Sequence, residues 1–216
     1  RAVFAEGGLG NDTVTIHSGL TVEKVEVWGD FKSGAGSGND VLTAGGSRAT
    51  FYGGAGNDQL IGGKADDVLF GGLGDDLLRG NAGQDVLEGG ENNDWLEGGA
   101  GLDILRGGAG NDLLLGGRGD DRLEGGSDDD TLQGEEGADV LLGGAGKDIL
   151  EGGLGNDRIF GDRTNPEDPP LLAGFADIIR GDDGRDELHG DGGDDTIEGG
   201  LGNDTIFGEA GSDTID

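Results

Sequence analysis

Residues 53–160 read, in blocks of nine, GGAGNDQLI (53–61), GGKADDVLF (62–70), GGLGDDLLR (71–79), GNAGQDVLE (80–88), GGENNDWLE (89–97), GGAGLDILR (98–106), GGAGNDLLL (107–115), GGRGDDRLE (116–124), GGSDDDTLQ (125–133), GEEGADVLL (134–142), GGAGKDILE (143–151) and GGLGNDRIF (152–160). Twelve tandem copies run without insertion or deletion, the signature of a repeat architecture. Every block opens on Gly and carries Asp at its sixth position. The eighth position is Leu throughout, except for Ile159 in the last block. The first six residues are Gly-rich, and glycine permits positive φ and lets carbonyls turn inward. The last three read x-aliphatic-x, so with period two one side chain points in and its neighbours point out, the pattern of a very short strand between tight loops.

One apolar residue in nine cannot form a core within a block, but two facing strands can begin one. A coil of about eighteen residues per turn sends odd blocks to one sheet and even blocks to the other, with the aliphatic rows meeting between. Stacked turns sit about 4.8 Å apart, so the twelve blocks form about six turns and a rod of roughly 29 Å. Asp58, Asp76, Asp94, Asp112, Asp130 and Asp148 then line one edge, and Asp67, Asp85, Asp103, Asp121, Asp139 and Asp157 the other. Neighbouring carboxylates repel by about 1 kcal/mol per pair even at the dielectric of water. A hard dication held by carboxylate and carbonyl oxygens removes that obstacle. Calcium tolerates irregular six- to eight-fold oxygen shells, whereas magnesium demands a strict octahedron.

The array resembles the RTX (repeats-in-toxin) family, the haemolysin-type calcium-binding nonapeptide repeats. The resemblance implies an all-β fold, a right-handed parallel β-roll in which calcium ions sit in the loops between blocks n and n+2, held by the two Asp side chains and loop carbonyls. It also implies a secreted or cell-surface bacterial protein, exported through a type I secretion machine and folding outside the cell.

Composition points the same way. Asp and Glu number 46 against 14 Lys and Arg, giving a net charge of −32, and 53 of the 216 residues are Gly. Low hydrophobicity with high net charge predicts disorder for the metal-free chain. About sixteen inter-Asp steps are available as an upper bound, and as many dications would cancel the formal charge. With no Cys, disulfides are excluded and metal would take their stapling role. Strong acidity argues against nucleic acid and anionic membrane surfaces as partners. No apolar run is long enough to span a bilayer, so membrane insertion by this stretch is not expected, and the chain reads as a segment of a longer protein.

The flanks extend the pattern. Residues 1–34 form a strand-rich N-terminal flank with one repeat, GGLGNDTVT (7–15), carrying Asp12. Residues 13–16 and 21–28 alternate and are β-branched, so this flank is expected to stack on the end of the roll, with Trp28 and Phe31 as apolar cover. The roll proper is 35–216. AGSGNDVLT (35–43) supplies Asp40, while the degenerate block 44–52 has Ala49 in place of Asp, which should weaken the site shared with Asp67. Asn92 and Asp128 replace the fourth-position Gly and tolerate left-handed backbone, and Asn81 and Glu135 replace the second Gly. Ala65, also at a fourth position, fits its loop less well. Leu102, Ala138 and Lys147 replace the polar fifth residue, with the adjacent sites expected to survive.

Residues 161–180 occupy twenty positions where nine are expected, so about eleven are inserted, at about 162–175. Pro166, Pro169 and Pro170 forbid a strand there and make it an extruded loop, with Leu171, Leu172 and Phe175 tucked against the sheet. Asp177 and Ile179 restore the register, and four further blocks supply Asp186, Asp195, Asp204 and Asp213 to continue the metal rows.

Other chemistry is weakly represented. His17 and His189 are expected at the solvated surface, and Phe70, Trp95 and Phe160 on the outer faces. No zinc pattern, catalytic triad, phosphate-binding Gly loop or EF-hand loop occurs. The reading is a non-enzymatic calcium-binding structural module. An adhesive or ligand-binding spacer of a large surface protein, with a glycan or cell-surface partner, is the alternative. An ice-binding module is disfavoured, because Thr196, Thr205 and Thr214 alternate between sheets and form no single row.

Overall fold

The computed structural model describes residues 2–16, 24–29, 37–164, 166 and 174–216. Among them every strand pairing is parallel, and strands alternate between two sheets along the chain. One sheet contains Lys24–Trp28, Ala49–Ala55, Val86–Glu91, Ile104–Ala109 and Glu187–His189. The other contains Thr13–Thr15, Val41–Thr43, Trp95–Ala100, Leu113–Arg118 and Ile178–Gly184. Leu105 pairs with Leu87 and Leu123, and Leu96 with Leu78 and Leu114, so each turn consumes eighteen residues. The result is an all-β parallel solenoid of about ten turns, longer than the six of the uninterrupted run because both flanks join it.

The strands are longer than the three residues read from the sequence. Ile104–Ala109 and Arg122–Ser127 each span six, running on through the Gly pair of the following block. Glycine is a poor strand former in isolation, but here the ladder continues through it, because Gly108 pairs with Gly90 and Gly126. Burial alternates along each strand, so the eighth-position aliphatic and the first-position Gly both face inward.

The aliphatic row is the core. Leu60, Leu69, Leu78, Leu87, Leu96, Leu105, Leu114, Leu123, Leu132, Leu141, Leu150 and Ile159 are fully buried in one cluster fed by both sheets. Each contributes about 1.5–3 kcal/mol of hydrophobic stabilisation. The inward Gly has a different reason. A Cβ on Gly107 would lie 2.7 Å from the Gly125 carbonyl oxygen and closer still to the Asp112 carboxylate, so the space beside the leucines is already taken. At the second position, Gly108 has φ of 120°. Asn81 (70°), Asn92 (81°), Asp128 (80°) and Glu135 (75°) hold left-handed backbone where they replace Gly, whereas Ala65 is not among the left-handed residues.

The N-terminal flank joins with irregular spacing. Val14 pairs with Leu42, and Val25 with Ala49, steps longer than eighteen. Trp28 covers no end of the coil. It lies on an outer face and stacks on Tyr52 at 3.9 Å, which stacks on Phe70 at 5.0 Å. Phe31 and His17 lie outside the described residues.

The insertion leaves the register intact: Ile149 pairs with Ile178, twenty-nine residues on, eleven more than the regular eighteen. Phe175 is 47% exposed and does not tuck against the sheet. Leu171 and Leu172 lie outside the described residues. Two outward residues are not surface groups. Phe160 is fully buried and His189 nearly so. The cause is Arg163, which the start of the insertion folds back over them, its guanidinium 4.8 Å from the Phe160 ring centroid. Beneath it Phe160, His189 and Phe207 stack in a column at 4.8 and 4.7 Å. Trp95 remains exposed, as its seventh position requires.

Because the leucines pack in single file, each loss leaves a cavity its neighbours cannot close. Leu123→Ala should cost about 2–5 kcal/mol in denaturant unfolding of the folded coil. Leu102→Ala, half exposed, should stay within about 0.5 kcal/mol.

Candidate metal sites

The sixth-position aspartates sit where each turn ends and the next strand begins. Their side chains fold inward against the first-position Gly of their own block: a Cβ on Gly71 would collide with Asp76, and one on Gly125 with Asp130. From Asp40 onward, one oxygen of each carboxylate has a fixed partner. Along the first edge the amide of Asp12 donates to Oδ1 of Asp40, and so on through Asp58, Asp76, Asp94, Asp112, Asp130, Asp148, Asp177, Asp195 and Asp213, at 2.7–3.2 Å. Along the second edge the chain begins at Ala49, whose amide donates to Asp67, and continues through Asp85, Asp103, Asp121, Asp139, Asp157, Asp186 and Asp204, at 2.6–3.1 Å. The structure thus brings all the sequence-predicted aspartates into two continuous rows.

The other oxygen is the informative one. Oδ2 of Asp12, Asp76, Asp85, Asp94, Asp103, Asp112, Asp121, Asp130, Asp139, Asp148, Asp157, Asp177, Asp186 and Asp195 is buried and accepts no hydrogen bond. A buried acceptor without a partner costs about 1–3 kcal/mol, more when charged. A row of them needs a physical cause. Asp67 differs: its Oδ2 accepts the Gly63 amide at 2.7 Å. Its loop carries Ala65 where a left-handed Gly belongs and follows the block with Ala49, so it satisfies itself. Asp204 and Asp213, on the last turn, are only half buried.

Burial pushes many of the row carboxyls, those of the uninterrupted run above all, well above the ordinary carboxylate range. Asp76, Asp85, Asp121, Asp148 and Asp157 rise to about 7. Asp94 and Asp130 reach about 8, raised first by burial and further by the carboxylates above and below, against the lowering effect of the backbone hydrogen bond. Without a counter-ion, burial thus moves the balance at these carboxyls toward the protonated form.

The donors fit a hard divalent cation. Each step offers carboxylate oxygens and main-chain carbonyls. The main-chain oxygens of Gly89 and Gly125 lie near the Oδ2 atoms of Asp76 and Asp112: a Cβ on Gly71 or Gly107 would come within 2.7 Å of both. Among the described residues no three Asp, Glu, His or Cys side chains gather as a metal-binding group, so a cation between two aspartates would complete its shell from carbonyls. An all-oxygen, irregular shell of that kind suits calcium.

Sequence reasoning missed a second ladder. At the fifth position, the Asn57 amide donates to Asn39 Oδ1 at 3.1 Å, Asp75 to Asn57 at 3.3 Å, Asn93 to Asp75 at 3.2 Å, Asn111 to Asn93 at 2.9 Å, and Asp129 to Asn111 at 3.2 Å. This exposed ladder runs opposite to the buried one: here the later residue donates to the earlier. The Asn or Asp recurring every eighteen residues was the available signal. Lys147 and Ala138 close their stretches, donating their amides to Asp129 and Asp120. Also missed was the buried group around Arg163, which pairs with Asp191 at 2.6 Å and Glu209 at 3.1 Å, while His189 faces Glu209 at 3.0 Å and Glu187 at 3.1 Å.

Comparison with known families matches residues 35–60, 52–87, 88–123, 124–159, 173–206 and 189–216 to the RTX calcium-binding nonapeptide repeat (4 copies). A search of curated proteins found no match.

The raised carboxyls predict a pH dependence of the metal-free fold. Asp94 and Asp130 titrate near 8 when folded, against an ordinary value of 3.8. The folded state therefore binds protons that the unfolded chain does not, and its stability is lost as pH rises through the folded values. In chelator, far-UV circular dichroism should show β-structure growing as pH falls from about 8 to about 5. A signal flat or declining over that range would contradict the burial of the rows.

Proposed function

The chain belongs to the family of RTX calcium-binding nonapeptide repeats, and from that premise we propose that it is a structural module that folds when calcium fills its two aspartate rows. The observation that carries the reading is the row of buried, partnerless Oδ2 atoms. In steps such as Asp112 to Asp130 a backbone amide holds one carboxylate oxygen and the other stays buried without a donor, an arrangement that is costly until a cation enters. Bound calcium supplies positive charge and accepts oxygen ligands at irregular angles. The chain's own contribution is to hold Oδ1 by a backbone amide and leave Oδ2 without a donor.

The residues proposed to hold calcium are the sixth-position aspartates from Asp12 and Asp40 to Asp204 and Asp213. Asp67 is the weakest member, because Gly63 already occupies its free oxygen. The fold is a structural scaffold rather than a catalytic one. RTX repeat proteins are typically secreted, and a net charge of −32 supports a chain that stays unfolded where calcium is scarce and folds near millimolar calcium. Export through a type I machine with folding outside the cell accords with this order of events. Among the described residues no helix is long and apolar enough to cross a membrane.

Calcium titration of the chelator-stripped chain at pH 7.5, followed by circular dichroism and small-angle scattering, tests the proposal. Compaction and β-signal should appear together with calcium, and magnesium at equal concentration should not replace it. A fold unchanged by chelator at that pH would refute it.

A further inference from the structure

At Asp162 the chain leaves the coil for its eleven-residue insertion, and a side chain takes over the work of the backbone. In the neighbouring turn the Ala210 amide donates to the main-chain oxygen of Asp191 at 2.8 Å. Eighteen residues earlier, the equivalent Gly192 amide donates instead to Asp162 Oδ2 at 3.0 Å. The other carboxylate oxygen, Oδ1, accepts the amide of Phe175, where the chain re-enters the coil, at 3.1 Å. One carboxylate therefore ties three points together: the exit from the coil, the return, and the next turn. It is 5% exposed, and Gly174 is required beside it, because any Cβ there would collide with the carboxylate.

Both tied loops carry metal-row aspartates. Phe175 lies two residues before Asp177, and Gly192 three before Asp195. The Asp177 amide donates to Asp195 Oδ1 at 2.9 Å, and Oδ2 of each is buried without a partner. The Asp177–Asp195 step thus joins the two loops that the Asp162 carboxylate ties.

We propose that Asp162 is the positioning residue for the cation step between Asp177 and Asp195, so that metal binding there and anchoring of the insertion are one event. This rests on the calcium reading above. Asp162 itself stays outside the cation's shell, since its two oxygens are engaged by amides and no third carboxylate converges on the pair. Residues that orient metal ligands change affinity by about ten- to a hundred-fold when removed.

The test compares the full chain with Asp162→Ala, Asp162→Asn and, as an exposed charge-loss control, Asp183→Asn. Hydrogen exchange of segments 174–177 and 190–195 is followed across a calcium titration, with segment 104–123 as internal reference and bound calcium counted by elemental analysis. In Asp162→Ala the two segments should need at least about tenfold more calcium for protection, with the reference unmoved. Asp162→Asn, which keeps one carbonyl acceptor, should recover part of the loss, and Asp183→Asn should match the parent. Equal calcium dependence in Asp162→Ala and parent, or a shift shared by every segment, overturns the proposal. If Asp162→Ala does not fold, the parent and Asp162→Asn decide it: Phe175 and Gly192 must gain protection at the same calcium concentration as Asp177 in the parent, and later in Asp162→Asn. A parent chain whose protection ignores calcium everywhere overturns the calcium reading itself, an outcome distinct from a failure confined to Asp162.

Discussion

A carboxylate taken out of water with only one oxygen satisfied is the constraint around which this molecule is built. The backbone imposes it. Turning eighteen residues into one coil brings a sixth-position Asp such as Asp112 or Asp130 beneath the amide of the Asp one turn earlier, and that amide claims Oδ1. The inward Gly of the same block leaves room for the carboxyl and for nothing else. The leucine row cannot relieve the tension, because it offers no donor. Either a proton or a cation must meet Oδ2, and burial has shifted the balance so that near neutral pH both are in play.

Glycine and aspartate therefore do the work that apolar bulk does in most domains. With a single aliphatic side chain per half-turn, the core is one file wide for each sheet. Its gain accumulates along the rod rather than across it, each turn contributing a similar increment and contacting only its neighbours. Charge accumulates along the same axis, so extending the coil adds apolar stabilisation and electrostatic cost in step.

The two rows and the leucine file were legible in the sequence because they depend on spacing alone: Asp94 and Leu96 occupy the same slots as Asp112 and Leu114. Strand length was not, because Gly107 and Gly108 look like loop residues until a neighbouring turn completes their ladder. The exposed Asn ladder escaped notice because donor and acceptor belong to turns eighteen residues apart and no single block displays the pair. Phe160 and His189 were misplaced for a different reason. Their cover, Arg163, comes from an insertion whose path no periodicity encodes. The same holds for Asp162, an ordinary acidic residue in the text whose role exists only where the chain leaves the coil and returns.

The stacked aromatics and the insertion have a consequence for how the chain finds its own frame. Within 71–151 successive turns are nearly interchangeable, and a strand displaced by a whole turn would meet another leucine, another glycine and another aspartate. Slippage by that unit changes little in energy, so the uniform stretch alone does not specify which turn lies on which. The departures from uniformity do: Trp28 on Tyr52 on Phe70 near one end, and Phe160 on His189 on Phe207 beneath Arg163 near the other. Each column is assembled only when three particular turns are consecutive. They serve as bookmarks at either end of a monotonous text, converting a degenerate set of alignments into one.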